Sequence, residues 1–175
     1  MFKNKDKTRR VAKFRKVTKE QFKKDYLSIF ECDNSNDCND AYNIITLPKR
    51  STINSAGYDF ISPISFTLKP GESIKIPTGI RCEINPNYVL MIYVRSSIGF
   101  KYQTILTNGT GIIDSDYFTA NNEGHIIIKL RNDGNKDLIV DAGQRLVQGI
   151  FLPYGITVDD DVEYERSGGI GSTGK

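Results

Sequence analysis

From Ala41 onward the chain is divided into short apolar, β-rich runs: YNIITL, FTL, SIKI, GIRCEI, YVLMIYV, HIIIKLR, DLIV and RLVQGIFL. Turn residues separate them, in KPGE, INPN, RNDGN and DAGQ. Runs this short and this regularly punctuated predict antiparallel strands in a sandwich or small barrel. No strand–helix–strand alternation is visible, which argues against a doubly wound parallel sheet. That exclusion decides how the C-terminal stretch GGIGSTGK, Gly168–Lys175, is read. It resembles most of a phosphate-binding Walker loop, but such a loop needs a hydroxyl residue after the lysine and then a helix. Here neither follows, so a glycine-rich tail is expected instead.

The first forty residues read differently. VAKFRKV, Val11–Val17, alternates well enough for a strand. Thr18 followed by Gln21 is a capping-box signature, and Phe22, Tyr26 and Ile29 or Phe30 recur at helical spacing. One amphipathic helix is therefore predicted over about residues 19–30. ECDNSNDCND, which follows, lacks periodicity and is expected to be a polar loop. Three regions result: a basic arm with strand and helix over 1–40, a β domain over 41–165, and a glycine-rich lid over 166–175.

Charge is uneven along the chain. Residues 1–24 hold eleven Lys or Arg against Asp6 and Glu20, a net +9, whereas the whole chain carries only +3. Such an arm could meet nucleic acid or an acidic protein partner. Nucleic acid is the weaker expectation, because no aromatic stacking platforms interleave the basic residues. No run approaches the roughly 18 apolar residues of a membrane span, and the N-terminus lacks the apolar core of a secretory signal. A cytoplasmic protein is expected. Cys32, Cys38 and Cys82 are odd in number and irregular in spacing, so reduced thiols are expected rather than a disulfide framework or zinc site. His125 is the single histidine, heads HIIIKL and reads as a strand residue.

Five segments carry more chemistry than strands or turns require: SAGYDF, VRSSIGF, TNGTGIIDSDYF, AGQRLVQ and RSGGIGSTGK. Arg95, Arg145 and Arg166 are candidate phosphate binders. Ser96, Ser172 and Thr173 supply hydroxyls, and the tail glycines let backbone N–H groups approach oxyanions. Asp114 follows Ile112 and Ile113, which suggests a carboxylate at the end of a buried strand, a good place for a general base.

These segments, in this order, resemble the five motifs of the homotrimeric dUTPases, with TNGTGIIDSDY nearly matching the third. The resemblance spans Ala56 to Gly174. It implies a distorted β jelly roll of the trimeric dUTPase type, with one short N-terminal helix. It also implies a homotrimer with shared active sites that hydrolyses dUTP to dUMP and pyrophosphate. That activity would keep uracil out of DNA and supply dUMP for thymidylate synthesis. Asp114 would then activate the water that attacks the α-phosphorus, with Asp59 supporting the water and metal region. Asn108 and the main chain of the hairpin Asn108–Tyr117, Gly111 and Ile113 included, would read uracil. Tyr117 would pack under the deoxyribose and exclude a 2′-hydroxyl. Arg95, Ser96, Ser97 and Gln148 would contact phosphates. Arg166, Gly169, Ile170, Gly171, Ser172 and Thr173 would close the tail over the nucleotide. Mg2+ would be held by substrate phosphates and water, without a protein ligand.

The chain departs from the family pattern in four respects. Ile170 stands where the family has an aromatic that stacks on uracil. Arg166 sits one residue closer to the glycine pair than in many members. Phe118–Glu123 is inserted before Gly124, and residues 1–40 exceed a minimal member. Two alternatives remain. One is a dCTP deaminase on the same fold, but Lys129 stands where that enzyme carries its catalytic glutamate. The other is a regulatory nucleotide-binding module, for which Asp114 would be superfluous.

Overall fold

In a computed structural model, residues 9–31, 35–164, 166 and 168 are described. Strand β1, Ala12–Lys16, leads into helices α1, Lys19–Phe30, and α2, Ser35–Ile44. Strands β2 (Lys49–Arg50), β3 (Tyr58–Ile61), β4 (Phe66–Leu68), β5 (Ser73–Pro77), β6 (Ile80–Ile84) and β7 (Tyr88–Val94) follow. Helix α3, Ser96–Tyr102, interrupts the strands before β8 (Thr104–Leu106) and β9 (Gly111–Ile113). A 3-10 helix over Ser115–Thr119 precedes β10 (Ile127–Asn132), β11 (Leu138–Val140) and β12 (Arg145–Pro153).

All strand pairs are antiparallel. The largest sheet has the order β2-β3-β12-β7-β9, a second runs β5-β10-β8, and β1-β6 and β11-β4 form two ribbons. The result is an all-β, distorted jelly-roll sandwich around one core. Phe60, Leu90, Ile92, Leu130, Leu138 and Leu146 fill it, each at most 1% exposed. Complete burial of such a side chain stabilises by about 1.5–3 kcal/mol.

The predicted first helix is present, and Thr18 Oγ1 accepts from the Gln21 N–H as its cap. The other half of the capping box is replaced. Gln21 Nε2 donates to Asp25, while the Thr18 N–H donates to Glu123 Oε2 at 2.9 Å. Glu123 belongs to the Phe118–Glu123 segment, so that segment clamps the start of α1. Phe22, 0% exposed, anchors the helix in the core against Tyr26, Tyr42 and His125.

Four expectations about local structure are corrected. The polar stretch before Ala41 is largely helical, because Cys38, Ala41 and Ile45 bury one side at helical spacing. The same helix takes the Tyr42–Ile44 part of YNIITL, which was expected as a strand. VRSSIGF contributes a further helix, α3, whose Ile98 is buried, so the short N-terminal helix is not alone. His125 lies just before β10 rather than within it, since its backbone N–H closes a turn onto the Asn122 carbonyl at 3.1 Å. Cys38 and Cys82 are free and buried, whereas Cys32 lies outside the described residues.

Candidate active site

Two groups of predicted site residues assemble at different places. The first gathers on β3, β12 and the end of β7. Asp59 on β3 lies opposite Gln148 on β12 in register. A Cβ on Gly57 would stand 2.6 Å from Gln148 Oε1, so a larger residue there would push the amide aside. The Asp59 carboxylate is nearly buried and pairs with Arg95 Nε at 2.8 Å and Arg145 Nη1 at 3.2 Å. Ser51 Oγ also donates to it at 2.8 Å. One carboxylate thus orients two guanidinium groups, and the cluster keeps a net positive charge suited to a phosphate. Ser96 and Ser97 are exposed in the first turn of α3, directly after Arg95.

The second group lines a cavity of about 750 Å3. Asn108, Gly111, Ile113, Asp114, Tyr117 and Arg166 all reach it. The Asn108–Tyr117 segment is not a hairpin of paired strands: β8 pairs with β10, whereas β9 pairs with β7. The loop therefore crosses between sheets. Nor does Asp114 end a buried strand. β9 is a three-residue edge strand, Ile112 is 53% exposed, and the Asp114 side chain is 49% exposed. Exposure suits a group that must meet water.

Arg166 bridges two carboxylates, Asp114 Oδ2 at 2.8 Å and Asp116 Oδ1 at 2.9 Å. Its guanidinium also stands 5.6 Å from the Tyr117 ring centre. Tyr117 is 6% exposed, its hydroxyl donates to the His125 carbonyl at 2.8 Å, and Asn122 Nδ2 donates to that hydroxyl at 2.8 Å. Burial, only partly offset by the Asn122 hydrogen bond, pushes the phenol above its ordinary pKa. The turn that returns the chain beneath Tyr117 needs glycine at 124, which has φ +69°.

The strand register sets the distance between the groups. Leu90 on β7 pairs with Ile113, so Asp114 lies beside Val89, whereas Arg95 follows the other end of β7. Six residues of extended strand put Asp114 about 20 Å from Arg95. Within one chain the two groups are separate.

A family model for dUTPase matches residues 43–174. A deoxyuridine 5′-triphosphate nucleotidohydrolase of Lactococcus lactis is 41% identical over 133 residues, covering 74% of this chain and 89% of that protein. The chain belongs to the dUTPase family. A dUTPase structure from Streptococcus mutans shares 35% identity with a TM-score of 0.58, covering 66% of this chain and 90% of that one. A dUTPase from phage phi11 of S. aureus, solved with a structural Mg(II) ion, shares the fold at a TM-score of 0.57. Its identity is 21%, over 69% of this chain and 92% of that one.

Among the predicted site residues of this dUTPase, Gly169, Ile170, Gly171, Ser172 and Thr173 lie outside the described residues. Several neighbours in the two groups were not anticipated. Ser51 joins Asp59, and Asp116 shares Arg166 with Asp114. Asp25 and Ser28 of α1 reach the cavity wall, as do Lys75 and Lys129, which oppose each other across β5 and β10. The carboxylates of DSDY were a usable signal for Asp116. Nothing local signalled Asp25, which meets His125 one hundred residues away. No helix among the described residues is long and apolar enough to cross a membrane.

Proposed function

We propose that this chain, a dUTPase, hydrolyses dUTP to dUMP and pyrophosphate with Asp114 as the base. The carrying observation is the cavity that joins the Asn108–Ile113 backbone, the Tyr117 ring and the Asp114 carboxylate. The backbone of Asn108, Gly111 and Ile113 pairs with the amide edge of uracil. An amino-substituted ring would cover those groups and leave them unpaired, which is a strong basis for rejection. The Tyr117 ring packs under the sugar and leaves no room for a 2′-hydroxyl. Asp114 takes a proton from a water aligned with the α-phosphorus, the lone pair of that water forms the new P–O bond, and the bond to the pyrophosphate oxygen breaks. Positioning and charge stabilisation supply most of such a rate enhancement.

The 20 Å separation estimated from strand geometry supports a site completed by another subunit. The Asp59 group of one protomer, with Arg95, Ser96, Ser97 and Gln148, receives the phosphates of a nucleotide whose base lies in a neighbour's cavity. A homotrimer accommodates three such sites. Arg166 exchanges Asp114 and Asp116 for the β- and γ-phosphates as the tail closes, with Gly169, Ile170, Gly171, Ser172 and Thr173 following it. Mg2+ brought by the triphosphate would supply neutralisation of phosphate charge. The half-exposed carboxylate of Asp114 and the oxygens of Asp59 are hard donors suited to the waters of such an ion. Lys129 on the cavity wall offers no carboxylate for deamination.

A nucleotide panel tests the reading. With Mg2+, purified protein should release pyrophosphate from dUTP, much less from dTTP, dCTP or UTP, and no ammonia from dCTP. Folded protein that leaves dUTP intact would refute it.

A further inference from the structure

Helix α1 lies outside the matched segment 43–174, yet its Asp25, Ser28 and Ile29 line the cavity that holds Asp114 and Tyr117. What ties the helix to that cavity is His125. Its side chain is 0% exposed. Nε2 lies 2.8 Å from the Gly79 nitrogen, whose N–H can only donate, so Nε2 must be the bare, accepting nitrogen. The ring proton therefore sits on Nδ1 and is donated to Asp25 Oδ2 at 2.6 Å. Asp25 Oδ2 is itself held by Gln21 Nε2 at 2.9 Å, and its side chain is 16% exposed. On its main-chain side, the His125 carbonyl accepts the Tyr117 hydroxyl. Asn122 binds that hydroxyl as well. Asp25, His125 and Tyr117 thus form one connected unit running from α1 to the floor of the cavity.

We propose that Asp25 and His125 are positioning residues for Tyr117, which makes α1 a working wall of the nucleotide pocket. The inference rests on the dUTPase reading, in which the Tyr117 ring rejects a 2′-hydroxyl. Asp25 fixes the tautomer and tilt of the imidazole. The imidazole fixes the 125 backbone against Gly79. That backbone fixes how deep the phenol sits, and so how much room a ribose finds. Removing the carboxylate leaves the Nδ1 proton unpaired in a buried site, and the ring must turn or change tautomer to satisfy it. The ring then no longer anchors the carbonyl that holds Tyr117.

The test uses the full-length protein with dUTP and UTP as paired substrates. Asp25→Ala should lower the ratio of kcat/KM for dUTP over UTP by at least about tenfold, chiefly by improving UTP. Asp25→Asn presents an oxygen in the same place and should keep the ratio within about threefold of the parent. A purely structural role would lower both substrates together and leave the ratio unchanged, which would overturn the proposal. The chain has a single histidine, so 15N-histidine labelling yields one imidazole to observe. Its spectrum should show the Nδ1–H tautomer in the parent and in Asp25→Asn. An Nε2–H tautomer in the parent would overturn the proposal even if Asp25→Ala failed to fold. A parent protein inactive on dUTP would instead refute the reading beneath it. An active parent with an unchanged ratio in Asp25→Ala would sink only this inference.

Discussion

Replacing Gly124 by alanine isolates how tightly the turn beneath Tyr117 is built. The residue has φ +69°, and a Cβ there would stand 2.5 Å from the Tyr117 carbonyl oxygen and 2.8 Å from Phe118 Cα. Both atoms are backbone, so no rotamer change relieves the contact. Left-handed geometry costs an L-residue about 1–2 kcal/mol, and forced overpacking adds roughly 1–3 kcal/mol. The expected destabilisation is therefore about 2–5 kcal/mol. Gly71→Ala supplies the control, because Gly71 has φ +81° and nothing within 4 Å of its would-be Cβ. That variant should show only the conformational cost, about 1–2 kcal/mol. Urea unfolding at equal protomer concentrations measures both, since assembly shifts apparent stability by mass action. If Gly124→Ala proved no less stable than Gly71→Ala, the steric argument at this turn would be wrong.

Asp114→Asn should retain nucleotide binding and lose about 10²–10⁴-fold in turnover, the usual worth of a positioned general base; near-parental activity would remove Asp114 from that role. Glu123 gives a pH prediction. Burial raises its pKa, but the hydrogen bonds from Thr18 and the charge of Arg81 outweigh burial and hold it below the ordinary carboxylate range. Its folded-state pKa is depressed, so its stabilisation is present above the ordinary value and is lost as pH falls through the lowered one. Asp25 behaves alike, the hydrogen bonds from His125 and Gln21 outweighing burial. Protection factors of the α1 amides, taken relative to intrinsic exchange at each pH, should therefore fall in acid, and less steeply in Glu123→Gln; an identical acid profile in that variant would contradict the assignment. Burial pushes the Cys82 thiol up to about 12, so alkylating reagents at about pH 8 should spare it until the protein unfolds, as mass spectrometry of labelled peptides would show.

Much of this architecture can be read directly because its signals are local. Short β-rich runs and turn residues mark the strands, and Thr18 with Gln21 marks the start of α1. Helix α2 escapes such reading because Asp37, Asn39 and Asp40 separate its few apolar positions, and Cys38 is easily discounted as one of them. What buries Cys38, Ala41 and Ile45 is the rest of the core, to which a local pattern is blind. The cap on α1 is similar: Glu123, 105 residues downstream, takes the place expected for Gln21. Its arrival depends on how the Phe118–Glu123 segment folds.

The site repeats that lesson on a larger scale. The identities of Asp59, Arg95, Asn108, Asp114 and Tyr117 follow from the motif segments, each only a few residues long. Their division does not, because it is a property of register. Pairing Leu90 with Ile113 and Val94 with Val147 sends the Asp114 cavity and the arginine cluster to opposite ends of β7. On the proposed reading, a triphosphate held by Arg95 lies about 20 Å by strand geometry from Asp114 of the same chain, which favours a neighbour's Asp114 for its α-phosphorus. The sharing of sites between subunits, expected from the family resemblance, is thus also supported by strand geometry. The same geometry explains why an added N-terminal helix can matter to chemistry. It lines the Asp114 cavity, and its Asp25 reaches the histidine whose carbonyl holds Tyr117.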